Sequence, residues 1–171
     1  DTSTGDVWID EVSSSIGVDT STGEVEIARS AGSFNVSTST GDIELRDTSG
    51  NITATSSTGS HTYVNVIGDL SARSTTGRIE VDGIQGRLDL RTSTGDQRGR
   101  EIMLTGDSSF ESSTGDIEMD LNNEVESLEF DLRSTTGSLQ VGRDQSQREL
   151  YLGGTGFTVR GKSSTGSQEY F

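Results

Sequence analysis

The chain has no cysteine and no proline, and its 171 residues include one histidine, one lysine and one tryptophan. Without cysteine there is no disulfide and no thiolate chemistry, although the compartment is left open. Apolar residues make up only 27%, and 28 acids against 13 bases leave a formal net charge of −15. Taken alone, that pairing favours disorder. The acid excess opposes direct binding to nucleic acid or anionic lipid, because both would be repelled. No apolar run approaches the roughly 18 residues of a membrane span, so any membrane contact is expected through a tether outside this chain. No signal peptide is visible and Asp1 stands inside a repeat, so the sequence reads as an excised or mature domain. Scarce lysine with abundant acid suits a high-salt habitat and a simple solubility role equally.

What is abundant is periodic. The tripeptide [ST]TG ends at Gly5, Gly23, Gly41, Gly59, Gly77, Gly95, Gly115, Gly137 and Gly166, with gaps of 18 five times, then 20, 22 and 29. Fixed spacing is the signature of a stacked array and overrides the compositional hint of disorder. Two and four residues after these glycines come apolar pairs such as Val25 and Ile27, Ile43 and Leu45, and Ile117 and Met119. Eleven and thirteen residues after come Ile16 and Val18, Phe34 and Val36, and Leu88 and Leu90. Both alternations have the period of two that belongs to strands with one buried face, and no stretch sustains a helical period. A second glycine nine residues on, at Gly32, Gly50, Gly68 and Gly86, marks another turn.

One such unit cannot bury its apolar face alone; stacked units can. The expected fold is all-β, a single-stranded parallel β-helix (β-solenoid) of about nine coils of about 18 residues, forming a rod roughly 40 Å long at the strand spacing. Crossover preference makes it right-handed, although the spacing is compatible with either hand. The chain is expected to be a single domain over 1–171, with minimal coils over 3–94, insertion-bearing coils over 95–163 and a partial terminal coil over 164–171. Of the insertions, GRDQSQRELYLGGTGFTVRGK is the longest. It reads as a cap or side hairpin over an open end, or else as a binding loop. If it is a binding loop, deleting 143–158 should weaken partner binding and leave coils one to five folded.

The residue before each repeat glycine is threonine in all nine copies, from Thr4 to Thr165, and the two residues before it are Ser or Thr. Continuing the strand alternation sends the first and third of these positions inward and the middle one outward, with the parity slipping at the glycine. On that reading the hydroxyls fasten coils together from inside, and Thr40→Val lowers stability. Ice binding needs paired threonines outward in a flat, uncharged array, so no thermal hysteresis is expected. Threonines aligned in solvent would put the ice-binding reading first.

The tandem units TSTGDV, TSTGEVEI, TSTGDIEL, SSTGDIEM and TTGRIEV resemble the bacterial cell-envelope adhesin or toastrack β-solenoid family, over nearly the whole chain. The resemblance implies a right-handed β-helix on the outer side of a membrane, linked to adhesion, envelope-stress sensing or protein assembly. It carries over no catalytic residue.

Candidate chemistry is sparse. His61 occupies a slot that holds Val or Ile in other coils, beside Tyr63, and reads as a packing residue. No serine has a His and Asp partner deducible from spacing. Acids recur one and three residues after the glycine, as at Asp6, Asp42, Asp96 and Asp116 and at Glu26, Glu44, Glu80 and Glu118. They read as a solvated face, with calcium conceivable though the usual solenoid calcium motif is not matched. Bases recur four before the glycine, at Arg73, Arg91, Arg133 and Lys162, on a different strand, so the rod should be electrically two-sided. Trp8 shares an outward column with Glu26 and Glu44, either covered by a preceding segment or free to stack on a ligand. The expectation is a non-enzymatic cell-surface or envelope module, extracellular or periplasmic. No catalytic, cofactor or metal residue is expected. Its partner would be a protein or a surface glycan, not nucleic acid, with end-to-end self-association as a further contact. The alternatives are an ice-binding or structural threonine solenoid and, more remotely, a carbohydrate-active β-helix enzyme.

Overall fold

The structure is a computed structural model that describes residues 2–171. Strands are numbered along the chain. One sheet, A, takes β1 (Thr2–Thr4), β3 (Ile16–Thr22), β5 (Phe34–Thr40), β7 (Ile52–Thr58), β9 (Leu70–Thr76), β11 (Leu88–Thr94) and β13 (Ser108–Thr114). The other, B, takes β2 (Val7–Asp10), β4 (Val25–Ala28), β6 (Ile43–Ser49), β8 (His61–Ile67), β10 (Ile79–Gly86), β12 (Gln97–Leu104) and β14 (Ile117–Leu121). Each coil is an A strand, the repeat glycine and a B strand, and the coils pair in parallel. The register is one of identity: Val25 lies beside Ile43, Phe34 beside Ile52, and Thr40 beside Thr58. The core fills the space between the sheets with the apolar pairs read from the sequence, from Val25 and Ile27 to Leu139 and Val141. The β-solenoid is therefore as expected, and its one helical element among the described residues is a 3-10 turn at Val125–Ser127.

The run of coils in chain order needs correcting. Seven turns stack in chain order, not nine. After β14 the chain runs through 122–128 and skips a rung. It then forms β15 (Glu129–Thr136) and β16 (Leu139–Val141), and folds β17 (Asp144–Ser146) and β18 (Glu149–Leu152) back antiparallel on the outer edges of β16 and β15. Only then does it return to fill the gap with β19 (Thr158–Thr165) and β20 (Gln168–Tyr170). Sheet A thus ends β13-β19-β15-β18 and sheet B ends β14-β20-β16-β17. The terminal segment forms a complete rung and starts at Thr158, so 164–171 is not a partial coil. Coil nine is interleaved between coils seven and eight. The long insertion contains the cap, and removing 143–158 would take away both that cap and the link to coil nine.

Both glycine columns have a steric cause. Gly59 has φ +147°, and a Cβ there would overlap the Gly41 carbonyl oxygen one coil back and sit 2.6 Å from its carbon. Close backbone approach and positive φ together leave no room for a side chain. The B strands carry one more irregularity. Glu11, Arg29, Asp47, Asn65, Gly83 and Glu101, spaced by 18, all have φ between 46° and 65°. This left-handed residue bends the B strands of coils one to six towards the second glycine corner, so that Thr48 faces inward after two successive exposed positions, and Val66 after the half-buried Val64 and exposed Asn65.

Candidate binding groove

The tripeptide settles first, because it shapes the surface. Its first position is buried in every described coil from two onward: Thr20, Thr38, Ser56, Ser74, Thr92, Ser112, Ser134 and Ser163. These hydroxyls act on the corner. Thr92 Oγ1 donates to Gly95 O at 3.0 Å, Ser163 Oγ to Gly166 O at 3.1 Å, and Ser74 Oγ reaches Gly59 O of the previous coil at 3.2 Å. The third position overturns the expectation. Thr4, Thr22, Thr40 and their counterparts are exposed, aligned in register along the outside of the rod. The parity slips between the second and third residues, one step before the glycine. The inside of a tight corner has no volume for a side chain, so two successive residues turn outward.

Three substitutions separate these roles. Thr92→Val is expected to cost about 1 kcal/mol, because it leaves the Gly95 carbonyl with only the 3.4 Å bond from Ser112 Oγ and removes one of the three acceptors of the buried Gln97 amide, which keeps Leu90 O and Glu111 O. Thr38 Oγ1 is buried with no hydrogen-bond partner among the described residues. Thr38→Val is therefore expected to be neutral or to stabilise by about 1 kcal/mol. Exposed Thr40→Val should stay within about 0.5 kcal/mol of wild type. Urea denaturation of the three variants checks the order.

The acids also have structural work. Asp6 Oδ1 accepts the Glu24 N–H at 3.0 Å, Asp42 Oδ1 that of Ser60 at 2.7 Å, Asp96 Oδ1 that of Asp116 at 3.1 Å, and Asp116 Oδ1 that of Ser167 at 2.8 Å. Each carboxylate brackets the backbone of the next rung, an ordinary use of a charged acceptor. This column is scaffold rather than a purely solvated face. Among the described residues no three metal-ligating side chains gather. Trp8 lies on the outer face of sheet B, 76% exposed.

His61 is fully buried between Ile43 and Ile79 of the adjoining coils. Its Nε2 lies 2.8 Å from Ser56 Oγ and its Nδ1 3.1 Å from Tyr63 Oη. Ser56 continues the network to Ser74 Oγ at 3.3 Å. Burial pushes the imidazole down from 6.5 to about 4, against a smaller upward pull from the Asp42 carboxylate, and pushes the Tyr63 phenol up. A Ser–His contact of this kind looks like the start of a nucleophile pair, but it points into the core. Its consequence is pH-dependent stability. With the folded value below the unfolded one, the contribution is complete above pH 6.5 and is lost as pH falls towards 4, by about 3 kcal/mol. His61→Ile should remove that component. The difference between wild-type and variant stability, measured by denaturation at pH 7 and pH 4, isolates it from the titrating carboxylates.

The outer face of sheet A carries a groove of about 490 Å³. Its floor is the serine and threonine of the tripeptides; its wall is the position four before the glycine. There Thr55, Arg73, Arg91, Glu111 and Lys162 stack in that spatial order, and Arg133 continues the column one rung beyond the groove. Interleaving sets Lys162 between Glu111 and Arg133, a neighbourhood that sequence order hides. Arg91 lies 3.0 Å from Asp89 and 3.5 Å from Glu111, and Arg73 lies 3.7 Å from Asp89, all on the exposed face. The Asp89 hydrogen bond raises the Arg91 guanidinium, which is already cationic at any working pH. Over the last five rungs the columns four and six before the glycine hold Arg73, Arg91, Lys162, Arg133 and Arg160 against Asp89, Glu111 and Asp131, with Glu129 beyond them at the start of β15. Five bases against three acids give a surplus of two positive charges on a chain of net charge −15. The outer column of sheet B holds Glu26, Glu44, Glu80, Glu118 and Glu169, with Thr62 and Arg98 interrupting it.

The model of the family described as Toastrack DUF4097 matches residues 67–155, just over half of the chain. The chain belongs to that family. The matched part of this toastrack domain runs from the end of coil four to the cap, and it includes Arg73, Arg91 and Glu111 of the groove wall. No curated protein and no solved structure matches the chain.

Proposed function

We propose that this toastrack domain is a non-enzymatic interaction module of the cell envelope, on the extracellular or periplasmic side, and that its sheet A groove holds an extended acidic surface glycan. The supporting observation is the column Arg73, Arg91, Lys162 and Arg133 standing over a hydroxyl floor in an otherwise strongly acidic chain. Cations at rung spacing suit a polymer with repeated carboxylates, and the hydroxyls suit its sugar oxygens. The resemblance to envelope adhesins favours the same location. The Ser56–His61 contact, being turned into the core, gives no support to an enzymatic reading.

The test uses polygalacturonate as the acidic probe and dextran as the neutral one. Polygalacturonate should bind, weakening as salt is added. Arg91→Glu with Lys162→Glu should reduce its affinity at least about tenfold, roughly 1.4 kcal/mol, without changing the unfolding midpoint. Equal binding to dextran, or no loss in the double variant, would overturn the proposal. Equal binding of a DNA oligonucleotide would reduce the groove to general polyanion attraction and overturn the glycan.

The outward threonine column returns ice binding to consideration, and by the criterion set from sequence it would lead. The geometry meets only half of that criterion. Threonines stand in single file along a corner, their would-be partners Thr20, Thr38 and Thr92 are buried, and the next outward column carries Asp6, Glu24 and Asp42. Thermal hysteresis is accordingly expected to be absent, and a nanolitre osmometer decides it.

A further inference from the structure

Coil nine lies between partners that are remote in the chain. Ser167 donates its N–H to Asp116 of coil seven, 51 residues away, and its Oγ lies 2.9 Å from Ser138 Oγ of coil eight, 29 residues away. The fit is keyed. The Tyr170 ring sits between Phe110 of coil seven and Phe130 of coil eight, at centroid distances of 5.9 and 5.6 Å. Gly161 stands in a column that holds Phe110 and Leu132 on either side, and a Cβ there would come within 2.6 Å of Tyr170 Oη. The absent side chain thus makes the space that Tyr170 fills. Gln168 Nε2 donates to Arg133 O of coil eight at 2.8 Å and to Ser163 Oγ at 2.9 Å. Gly161, Gln168 and Tyr170 together distinguish this segment from every other coil of the rod.

Ahead of the slot the segment is held to its own chain by two backbone bonds, Gly156 N–H to Ser127 O at 2.8 Å and Glu129 N–H to Phe157 O at 3.0 Å. It is joined to the cap by Gly153–Phe157, a largely exposed link with three glycines. The slot walls, coils seven and eight, are complete in sequence before the segment begins.

We propose that the rung between coils seven and eight is an acceptor slot for the segment 158–171, and that the segment of a second copy occupies it to give a strand-exchanged dimer. Every slot contact named above is identical whether the segment comes from the same chain or another. The balance between monomer and dimer is then set by the link and by protein concentration during folding, not by new contacts. Exchange would carry Lys162 and Ser164 of one copy into the groove of the other, but it does not rest on glycan binding, and its test reads disulfide linkage and mass, so the two proposals fail separately.

The chain has no cysteine, so single cysteines report cleanly. Glu118 of β14 and Glu169 of β20 are register partners on the outer face of sheet B. Full-length Glu118→Cys and Glu169→Cys chains are mixed in equal amounts, unfolded, and refolded together under mild oxidation. A disulfide-linked heterodimer whose fraction rises with protein concentration is expected. The chain carrying both substitutions should close an internal bond at low concentration. If the double variant closes internally while the mixture stays unlinked at all concentrations, exchange does not occur. If the double variant also fails to close, the slot itself is wrong. Light scattering on the unsubstituted chain, refolded over the same range, should show a rising dimer fraction, and monomer throughout would overturn the proposal.

Discussion

Gly59→Ala is expected to destabilise the rod by about 4 kcal/mol or more, lowering its melting temperature by roughly 10 °C. Two independent costs act at the same atom. The residue sits at φ +147°, outside the regions open to an L side chain, and the added Cβ would overlap the carbonyl oxygen of Gly41. The clash is backbone against backbone, so no rotamer change relieves it. Relief needs the coils to separate, which breaks the bond from Gly41 N–H to Thr58 O, 3.0 Å, and its neighbour from Ile43 N–H to Ser60 O, 3.0 Å. Because each coil contacts only its neighbours, the damage should be centred on coils three to five, and unfolding should lose its single transition. Gly17→Ala is the control. Gly17, within β3 of sheet A, faces open space, so alanine there should change stability by less than about 0.5 kcal/mol. A loss confined to Gly59 in thermal denaturation supports the steric account; equal losses at both positions would refute it.

The glycine column is the part of the fold most legible in sequence, because its cause repeats in every coil. The apolar pairs were legible for the same reason: Val25, Ile43 and Ile79 stand at one phase of one period, and the phase alone decides which face is buried. The third tripeptide residue was not legible. Alternation predicts Thr40 inward, and only the corner, whose interior is full, turns it out. The left-handed column was hidden because its occupants share no chemistry; Glu11, Arg29, Asp47, Asn65 and Glu101 have only their spacing in common. The bracketing role of Asp42 was hidden in another way. Its recurrence was visible, but its partner is a backbone N–H, which no sequence pattern marks. For the groove, the bases were found at the right column and strand, while their spatial order needed the interleaving that places Lys162 before Arg133.

That interleaving had a faint trace in sequence. The last two gaps, 22 and 29, break the period, and Gly161 stands where other coils carry a larger inward residue while Tyr170 supplies excess volume nearby. Small against large within one coil reads as internal compensation. It becomes a key only when Phe110 and Phe130 are known to lie on either side, and neither is adjacent in the chain.

Removing residues 158–171 tests how much depends on that key. If this were a terminal coil, its loss would shorten the rod by a rung and leave the rest intact. Because it is an inner rung, its removal strips β13 and β14 of one neighbour each and β15 and β16 of their parallel neighbours. Coil eight would keep only the antiparallel cap, and Phe110 and Phe130 would lose the Tyr170 ring between them. A lone hairpin-backed coil cannot bury its own apolar face, so residues 129–152 should detach as a unit. Hydrogen exchange should then show protection lost throughout 129–152 and along coil seven, with coils two to five protected as before. The newly open edges of β13 and β14 are long, flat and unpaired, so the truncated chain should also self-associate. Dropping only the outermost hairpin would leave coil nine paired on both sides in the rest of the molecule; dropping coil nine, a segment of fewer residues than the region it holds, should release everything beyond it. Retained protection in 129–152 after the truncation would mean that coil eight closes directly onto coil seven, and the interleaved rung would then be an accessory of the rod rather than its lock.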